Sequence, residues 1–384
     1  MSEWKKVTLD QMGIISRGKS KHRPRNDARL FGGRYPFIQT GDIGTAGLYV
    51  TEYSQTYNEE GLAQSKLWEK DTLCITIAAN IADTALLAFP ACFPDSVMGF
   101  IPYDNIANVK FVKYCFDILQ RDCQQISQGT AQDNLSWKKL STILFPCPPI
   151  GVQNKIADIL SRYDNLIENY QKQIKLLEES AQRLYKEWFI DLRFPGHENT
   201  KIVDGVPEGW EKKTLDIFCD VFTGKRNANQ GVPDGKYKFF TCSNTPLLIN
   251  SYIYDGPAII ISGNGSYTGR TTFYEGKFDL YQRTYACTMK EMYSKDLIYG
   301  LFEIVKNELT SKISGGTHGA AIPYIVMSDV TKFDFLYKED IMKRFSSIVN
   351  KTLSESLKLS NQIHLLTEAR DRLLPKLMSG EIEV

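Results

Sequence analysis

Ile156-Ala-Asp-Ile-Leu160-Ser-Arg-Tyr163-Asp-Asn-Leu-Ile167-Glu-Asn-Tyr170-Gln-Lys-Gln-Ile174-Lys-Leu-Leu177-Glu-Glu-Ser-Ala181-Gln-Arg-Leu184-Tyr-Lys-Glu-Trp188 is the stretch that decides the architecture. Its apolar residues step 4-3-4-3 without a miss at the ten numbered positions. A seam held over four heptads predicts a coiled coil rather than a single amphipathic surface helix. The same frame moved to the end of the chain gives Phe345, Val349, Thr352, Ser356, Leu359, Ile363, Leu366, Arg370, Leu373 and Leu377. Thr352, Ser356 and Arg370 break the pattern there. Each seam must bury against something, and the other helix is the economical partner. The alternative is that each helix packs on its own neighbouring domain.

Working outward, the whole chain repeats. Trp4-Lys-Lys-Val-Thr-Leu-Asp10 matches Trp210-Glu-Lys-Lys-Thr-Leu-Asp216, and Gly18-Lys19 matches Gly224-Lys225. Tyr35-x-Phe37 matches Tyr237-x-Phe239, and Gly129-Thr130 matches Gly316-Thr317. Gln173-Ile-x-Leu-Leu-x-Glu179 with Arg183-Leu184 matches Gln362-Ile-x-Leu-Leu-x-Glu368 with Arg372-Leu373. The order never changes, so two copies of one unit are expected. In each copy a mixed segment of short β-branched runs between Gly and Pro turns reads as an α+β globular domain. A long helix follows it.

The expected fold is therefore α+β, with two duplicated globular domains separated by a long antiparallel two-helix coiled coil, pseudo-twofold within one chain. Expected boundaries are domain 1 at 1–150, a central spacer helix at 151–192, a linker at 193–208 (Phe194-Pro-Gly-His onward), domain 2 at 209–338, a C-terminal spacer helix at 339–378 and a tail at 379–384. About 35 helical residues make a rod of roughly 50 Å. That length spans about 15 base pairs of duplex DNA, so a pseudo-symmetric reader of two separated half-sites fits the dimensions.

The 384 residues, 42% hydrophobic and 24% charged, exclude collagen-like, disordered and disulfide-scaffold classes. No stretch offers the ~18 uncharged apolar residues of a membrane span, and the N-terminus lacks a signal-peptide core. A cytoplasmic protein with no membrane contact is expected. Eight scattered cysteines without a C-x-x-C pair read as reduced, structural thiols. The four histidines show no metal-ligand spacing. A net charge of +1 argues against a protein that coats nucleic acid through bulk charge, but permits a local basic patch.

Three motifs hint at catalysis, and each lacks its context. Gly13-Ile-Ile-Ser-Arg-Gly18-Lys19-Ser20 spells a P-loop, yet Pro24 stands where a helix should follow. Asp255…Glu275-Gly-Lys277 loosely matches a nuclease triad. Pro148-Pro149 lacks the Asn or Asp of an amino-methyltransferase loop, because Cys147 stands there. Those prolines read better as the stop between domain and helix.

Electrostatics gives the strongest site signal. Arg17, Lys19, Lys21, Arg23, Arg25, Arg29 and Arg34 face one acid, Asp27, within 18 residues. The matching segment carries Lys225, Arg226, Lys236 and Lys238 against Asp234. Basic loops in both copies suit phosphate contact; a merely solvated loop is the alternative. Polar and Gly-rich loops add Gln39, Thr40, Gln132, Asn134, Asn264, Arg270, Arg283 and His318, since Arg favours guanine and Asn or Gln adenine. Among these, the candidate DNA contacts are Arg17, Lys19, Lys21, Arg23, Arg25, Arg34, Lys225, Arg226 and the eight loop residues. No catalytic, cofactor or metal residue is expected.

The Trp-x-x-x-x-Leu start, the Gly-Thr segment, Phe145-Pro-Cys-Pro-Pro149, Gln153-x-x-Ile156 and a long helix ending in Arg-Leu resemble the specificity subunit of type I restriction–modification systems. The resemblance covers essentially the whole chain. It implies two target-recognition domains reading an asymmetric, bipartite duplex DNA target. It implies spacer helices that dock two methyltransferase (M) subunits, and restriction (R) subunits joining the assembly. S-adenosylmethionine, ATP and magnesium would then sit only on those partners, which would supply adenine-N6 methylation and ATP-dependent cleavage. Val152 stands where the family usually has Glu, and the second copy has Phe333-Asp-Phe-Leu-Tyr-Lys in place of the Pro-Pro-x-x-x-Gln signature. A protein-binding coiled-coil scaffold without DNA readout and a P-loop NTPase are the rival readings.

Overall fold

A computed structural model describes residues 4–77, 82–126, 140–313 and 324–384, with side chains of 121–126 left aside. The chain divides into two compact units, Met1–Gln171 with Asn361–Val384, and Lys172–Ser360.

In the first unit the N-terminal strand Lys6–Val7 pairs antiparallel with Phe145–Pro146, so the lobe closes on itself just before the central helix. A five-stranded sheet runs Gly13–Arg17, Val97–Pro102, Leu73–Thr76, Thr84–Leu87, Tyr49–Val50 in spatial order. A second, four-stranded sheet runs Gln55–Tyr57, Phe31–Phe37, Ala91–Cys92, Leu67–Trp68. The helix Val109–Ile126 supplies Phe111, Val112, Tyr114 and Phe116 to the core.

The second unit repeats the plan. Glu211–Thr214 pairs with Asp334–Tyr337, setting Lys212 against Leu336 where the first lobe sets Lys6 against Pro146. The segment lacking the Pro-Pro signature thus closes its lobe with the same ladder, because the strand pairing needs extended backbone and not proline. One six-stranded sheet runs Cys219–Thr223, Thr284–Met289, Tyr254–Ser262, Thr271–Leu280, Tyr237–Phe240, Leu247–Ile249. The helix Leu297–Ile313 packs on it.

The central helix spans Ile150–Tyr185 and runs on as a π-turn over Lys186–Ile190; the last helix spans Glu339–Met378. In the first unit Asp164 meets Arg370. In the second, Trp188 meets Phe345. With Ile156 and Leu160 beside Leu374 and Leu377 in one unit, and Tyr185 and Trp188 beside Phe345 and Val349 in the other, each unit holds the two helices antiparallel. None of the ten seam positions of either helix is exposed. Leu176 and Leu365, one residue off the seam, are 64% and 55% exposed.

The helix ends are also sunk in the lobes. Ile156, Ala157 and Leu160 share a core with Leu374, Leu377 and Met378 and the first lobe's Val7, Leu9 and Phe145. Tyr185, Trp188 and Phe189 share one with Met342, Phe345 and the second lobe's Trp210 and Leu215. Helix–helix pairing and helix–lobe packing are therefore not alternatives.

Gln153 shows why a polar residue stands at the helix start. Its side chain is fully buried and fully used. Oε1 accepts from Asn108 N at 3.0 Å, and Nε2 donates to Ile106 O and Pro148 O, each at 2.9 Å. It ties the helix to the lobe with no polar atom left unpaired. The repeat-equivalent residue is Met342, which is equally buried but apolar.

Candidate nucleic-acid interface

The P-loop letters fall on the edge strand Gly13–Arg17, extended and paired with Val97–Pro102, so no phosphate-cradling loop forms there. The strand ends in a tight step. Gly18 N donates to Val97 O at 2.8 Å and Lys19 N to Phe93 O at 3.0 Å. A Cβ on Gly18 would lie 2.3 Å from Pro94 O. On the equivalent strand Cys219–Thr223, a Cβ on Gly224 would lie 1.7 Å from Leu280 O. Glycine is required at both places because backbone packs on backbone. The repeated Gly-Lys pair is thus a pinned strand end that carries a lysine outward, exposed in both lobes.

Beyond Lys19 the first basic loop is partly neutralised. Arg25 makes two bonds to Asp95, at 2.7 and 2.9 Å, and Arg23 lies 3.8 Å from the same carboxylate. Arg29 and His22 both hold Asp27. Hydrogen bonds from Arg29 first, then His22, keep the Asp27 carboxyl well below the usual carboxylate range. Arg34 pairs with Glu59 at 3.1 Å and with Tyr35 OH. Among the described residues, no ion pair engages the exposed Arg17, Lys19 and Lys21. Sequence charge counting missed these pairs because Asp95 and Glu59 come from distant segments.

Gln39 and Thr40 open the short helix Thr40–Thr45, and Gln39 Nε2 donates to Gln55 Oε1 at 3.0 Å. Arg25, Asn26, Phe31, Phe37, Gln39, Thr40 and Gln55 line one cavity of about 610 Å³. The basic loop, the aromatic strand and the amide pair therefore meet at one concave surface.

The second lobe has a cavity of about 640 Å³ beside its own Gly-Lys step, lined by Lys225, Arg226, Gln230, Tyr254 and Asp279. Asp279 is buried; its Oδ2 accepts from Ser251 at 2.6 Å and faces Arg226 Nε at 3.6 Å. Arg226 is thereby fixed, while Lys225 extends exposed. Arg270 donates to Asn244 Oδ1 at 2.7 Å and to the Ser243 carbonyl, with its guanidinium over Tyr267. Arg283 is exposed, and Asn264 forms a bridge with Tyr324. Gln132, Asn134 and His318, like both Gly-Thr pairs, lie outside the described residues.

Asp255 and Glu275 sit on paired strands opposite Lys277 and Pro257. Lys277 lies over the rings of Tyr252 and Tyr237 instead of between carboxylates. Among the described residues no three His, Cys, Asp or Glu side chains gather closely enough to hold a metal. No helix among them is long and apolar enough to cross a membrane. Cys74, Cys92, Cys115, Cys219 and Cys287 are buried and free. Burial pushes the Cys219 thiol up to about 12, which makes it inert.

Residues 1–179 match the family model of the type I restriction modification DNA specificity domain. The chain is 26% identical to the MjaIX type I restriction enzyme specificity subunit of Methanocaldococcus jannaschii, over 100% of this chain and 94% of that protein. It is 30% identical to the EcoDI specificity subunit of Escherichia coli over 46% of this chain and 39% of that one. The crystal structure of a type I restriction–modification S subunit from M. genitalium superposes with a TM-score of 0.67 at 17% identity, covering 97% of this chain and 96% of that one. That likeness speaks for the fold.

Proposed function

We propose, from the premise that this chain belongs to the specificity subunits of type I restriction–modification systems, that it reads a bipartite, asymmetric duplex DNA target and docks the methyltransferase and restriction subunits. The observation that carries this is the duplicated strand end: each lobe presents a pinned, exposed lysine, Lys19 or Lys225, beside its own cavity. One half-site falls to each lobe. The two sets of cavity residues differ, so the half-sites differ.

The phosphate contacts we assign first are Arg17, Lys19, Lys21 and Lys225, which carry no ion pair among the described residues. Arg23, Arg25 and Arg34 join them only where a phosphate displaces Asp95 or Glu59. Gln39, Thr40, Arg226, Arg270, Arg283 and Asn264 remain assigned to bases or to phosphates, together with Gln132, Asn134 and His318. The domain bounds proposed for exchange experiments are 1–150 and 209–338, with spacer helices at 151–192 and 339–378. Two M subunits would seat on the outward Leu176 and Leu365, equivalent positions 189 residues apart in the repeat. The chain itself is not an enzyme. S-adenosylmethionine, ATP and magnesium belong to the partner subunits, and the assembly acts in the cytoplasm.

The test is selection of duplexes from a randomised library by this chain assembled with its methyltransferase subunits. A split motif, with two short fixed elements around a gap of constant length, is expected. Recovery of no motif would favour a scaffold that binds only protein.

A further inference from the structure

The two lobes share a three-strand element that lets their residues be matched one by one. In the first, Gln55–Tyr57 runs antiparallel to Phe31–Phe37, which runs parallel to Ala91–Cys92. In the second, Leu247–Ile249 runs antiparallel to Tyr237–Phe240, which runs parallel to Thr271–Leu280. Phe37 and Phe239, equivalent in the repeat, fix the register. Phe37 stands opposite Gln55 on one side and Cys92 on the other; Phe239 stands opposite Leu247 and Asp279. Gln55 and Leu247 are therefore the same position of the fold, and both are exposed.

Each borders its lobe's basic loop. Gln55 lines the cavity that Arg25 also lines. Leu247 is approached by Gly231 of the loop after Arg226, so closely that a Cβ there would lie 2.9 Å from Leu247 Cδ1. Their chemistry is opposite. The Gln55 amide is oriented: its Oε1 accepts from Gln39 Nε2 at 3.0 Å, which leaves its own N–H groups and a second lone pair outward. One donor and one acceptor side by side is the pattern that reads the N7 and N6 edge of adenine. Leu247 offers no polar atom, and an exposed apolar side chain suits the methyl group of thymine.

We infer that this shared ladder position, Gln55 in the first lobe and Leu247 in the second, is a specificity determinant that reads one adenine in one half-site and one thymine in the other. The inference rests on the DNA-reading function proposed above.

Gln55→Leu, Gln55→Ala and Leu247→Gln, each assembled with the methyltransferase subunits, are compared with the unaltered complex in the same duplex selection. Gln55→Leu shifts one position of one half-site from adenine toward thymine, and Gln55→Ala relaxes it, each by roughly tenfold or more. Leu247→Gln shifts one position of the other half-site the opposite way. Selection of the unaltered motif by these variants, changes in both half-sites from one substitution, or loss of all DNA binding would overturn the inference. Failure of the unaltered complex to select any split motif would instead defeat the function on which it rests.

Discussion

Arg370 donates to Asp164 at 2.6 Å across 206 residues of sequence, at a seam position where the heptad pattern calls for an apolar side chain. Asp164 is buried and also accepts from the hydroxyl of Tyr114 at 2.5 Å, so the first lobe and both helices meet at one carboxylate. The equivalent places in the second unit hold Ala181 and Leu353. The Asp164–Arg370–Tyr114 cluster thus has no counterpart at those two places, and a buried polar group of this kind on a helix seam can fix register.

Removing one partner should therefore cost far more than removing both. Arg370→Leu leaves Asp164 buried with a single neutral donor, and a loss of about 3–5 kcal/mol is expected from urea unfolding. Arg370→Leu with Asp164→Leu should recover most of it. Equal losses in the single and double variants would show that the pair contributes packing alone.

Gln153→Ala strands the Asn108 N–H and the carbonyls of Ile106 and Pro148 in the core. The expected loss is about 1–3 kcal/mol for each buried group left unsatisfied. Unchanged thermal unfolding would remove Gln153 as the tie between helix and lobe.

Glu303 gives the fold a pH dependence. Burial raises its pKa above the ordinary 4.5, against the smaller opposing pulls of Lys306 and Asn307. The folded state then binds the proton more tightly than the unfolded one, so this group lowers stability progressively as pH rises past 4.5 toward the raised value. Glu303→Gln should flatten that part of the stability–pH curve and raise stability at neutral pH. An unaltered curve would mean that Glu303 ionises freely.

The paired and unpaired cations should separate in salt titrations of DNA binding by the assembled complex. Lys19→Ala and Lys21→Ala should each reduce the salt slope by about 1. Arg29→Ala, whose guanidinium is occupied by Asp27, should leave it unchanged. Asp95→Asn frees Arg25 and should steepen it. Equal effects at Lys19 and Arg29 would show that the ion pairs dissolve on DNA.

The helix pair was legible in sequence because a 3.5-residue period is local and needs only one face to be read. Even one misfit has a place: Arg370 finds Asp164. The β-branched runs at Leu73–Thr76 and within Tyr254–Ser262 could be read as strands, but the sheet order could not, since two-residue strands such as Lys6–Val7 and Ala91–Cys92 take their identity from distant partners. The same limit applied to the basic loop. Counting charges from Arg17 to Arg34 finds one acid, whereas folding brings Asp95 and Glu59 to its side. The amide pair of Gln39 and Gln55 escaped for a different reason: Gln55 has no sequence signal, and only the ladder opposite Phe37 reveals it.

Sequencing the modified bases of a genome from cells that carry this gene with its methyltransferase gene, and from cells in which only this gene is deleted, tests the central claim most directly. The account predicts that one split, asymmetric motif loses its methylation and that every other motif is retained. Retention of all motifs, or loss of a single uninterrupted one, would contradict it.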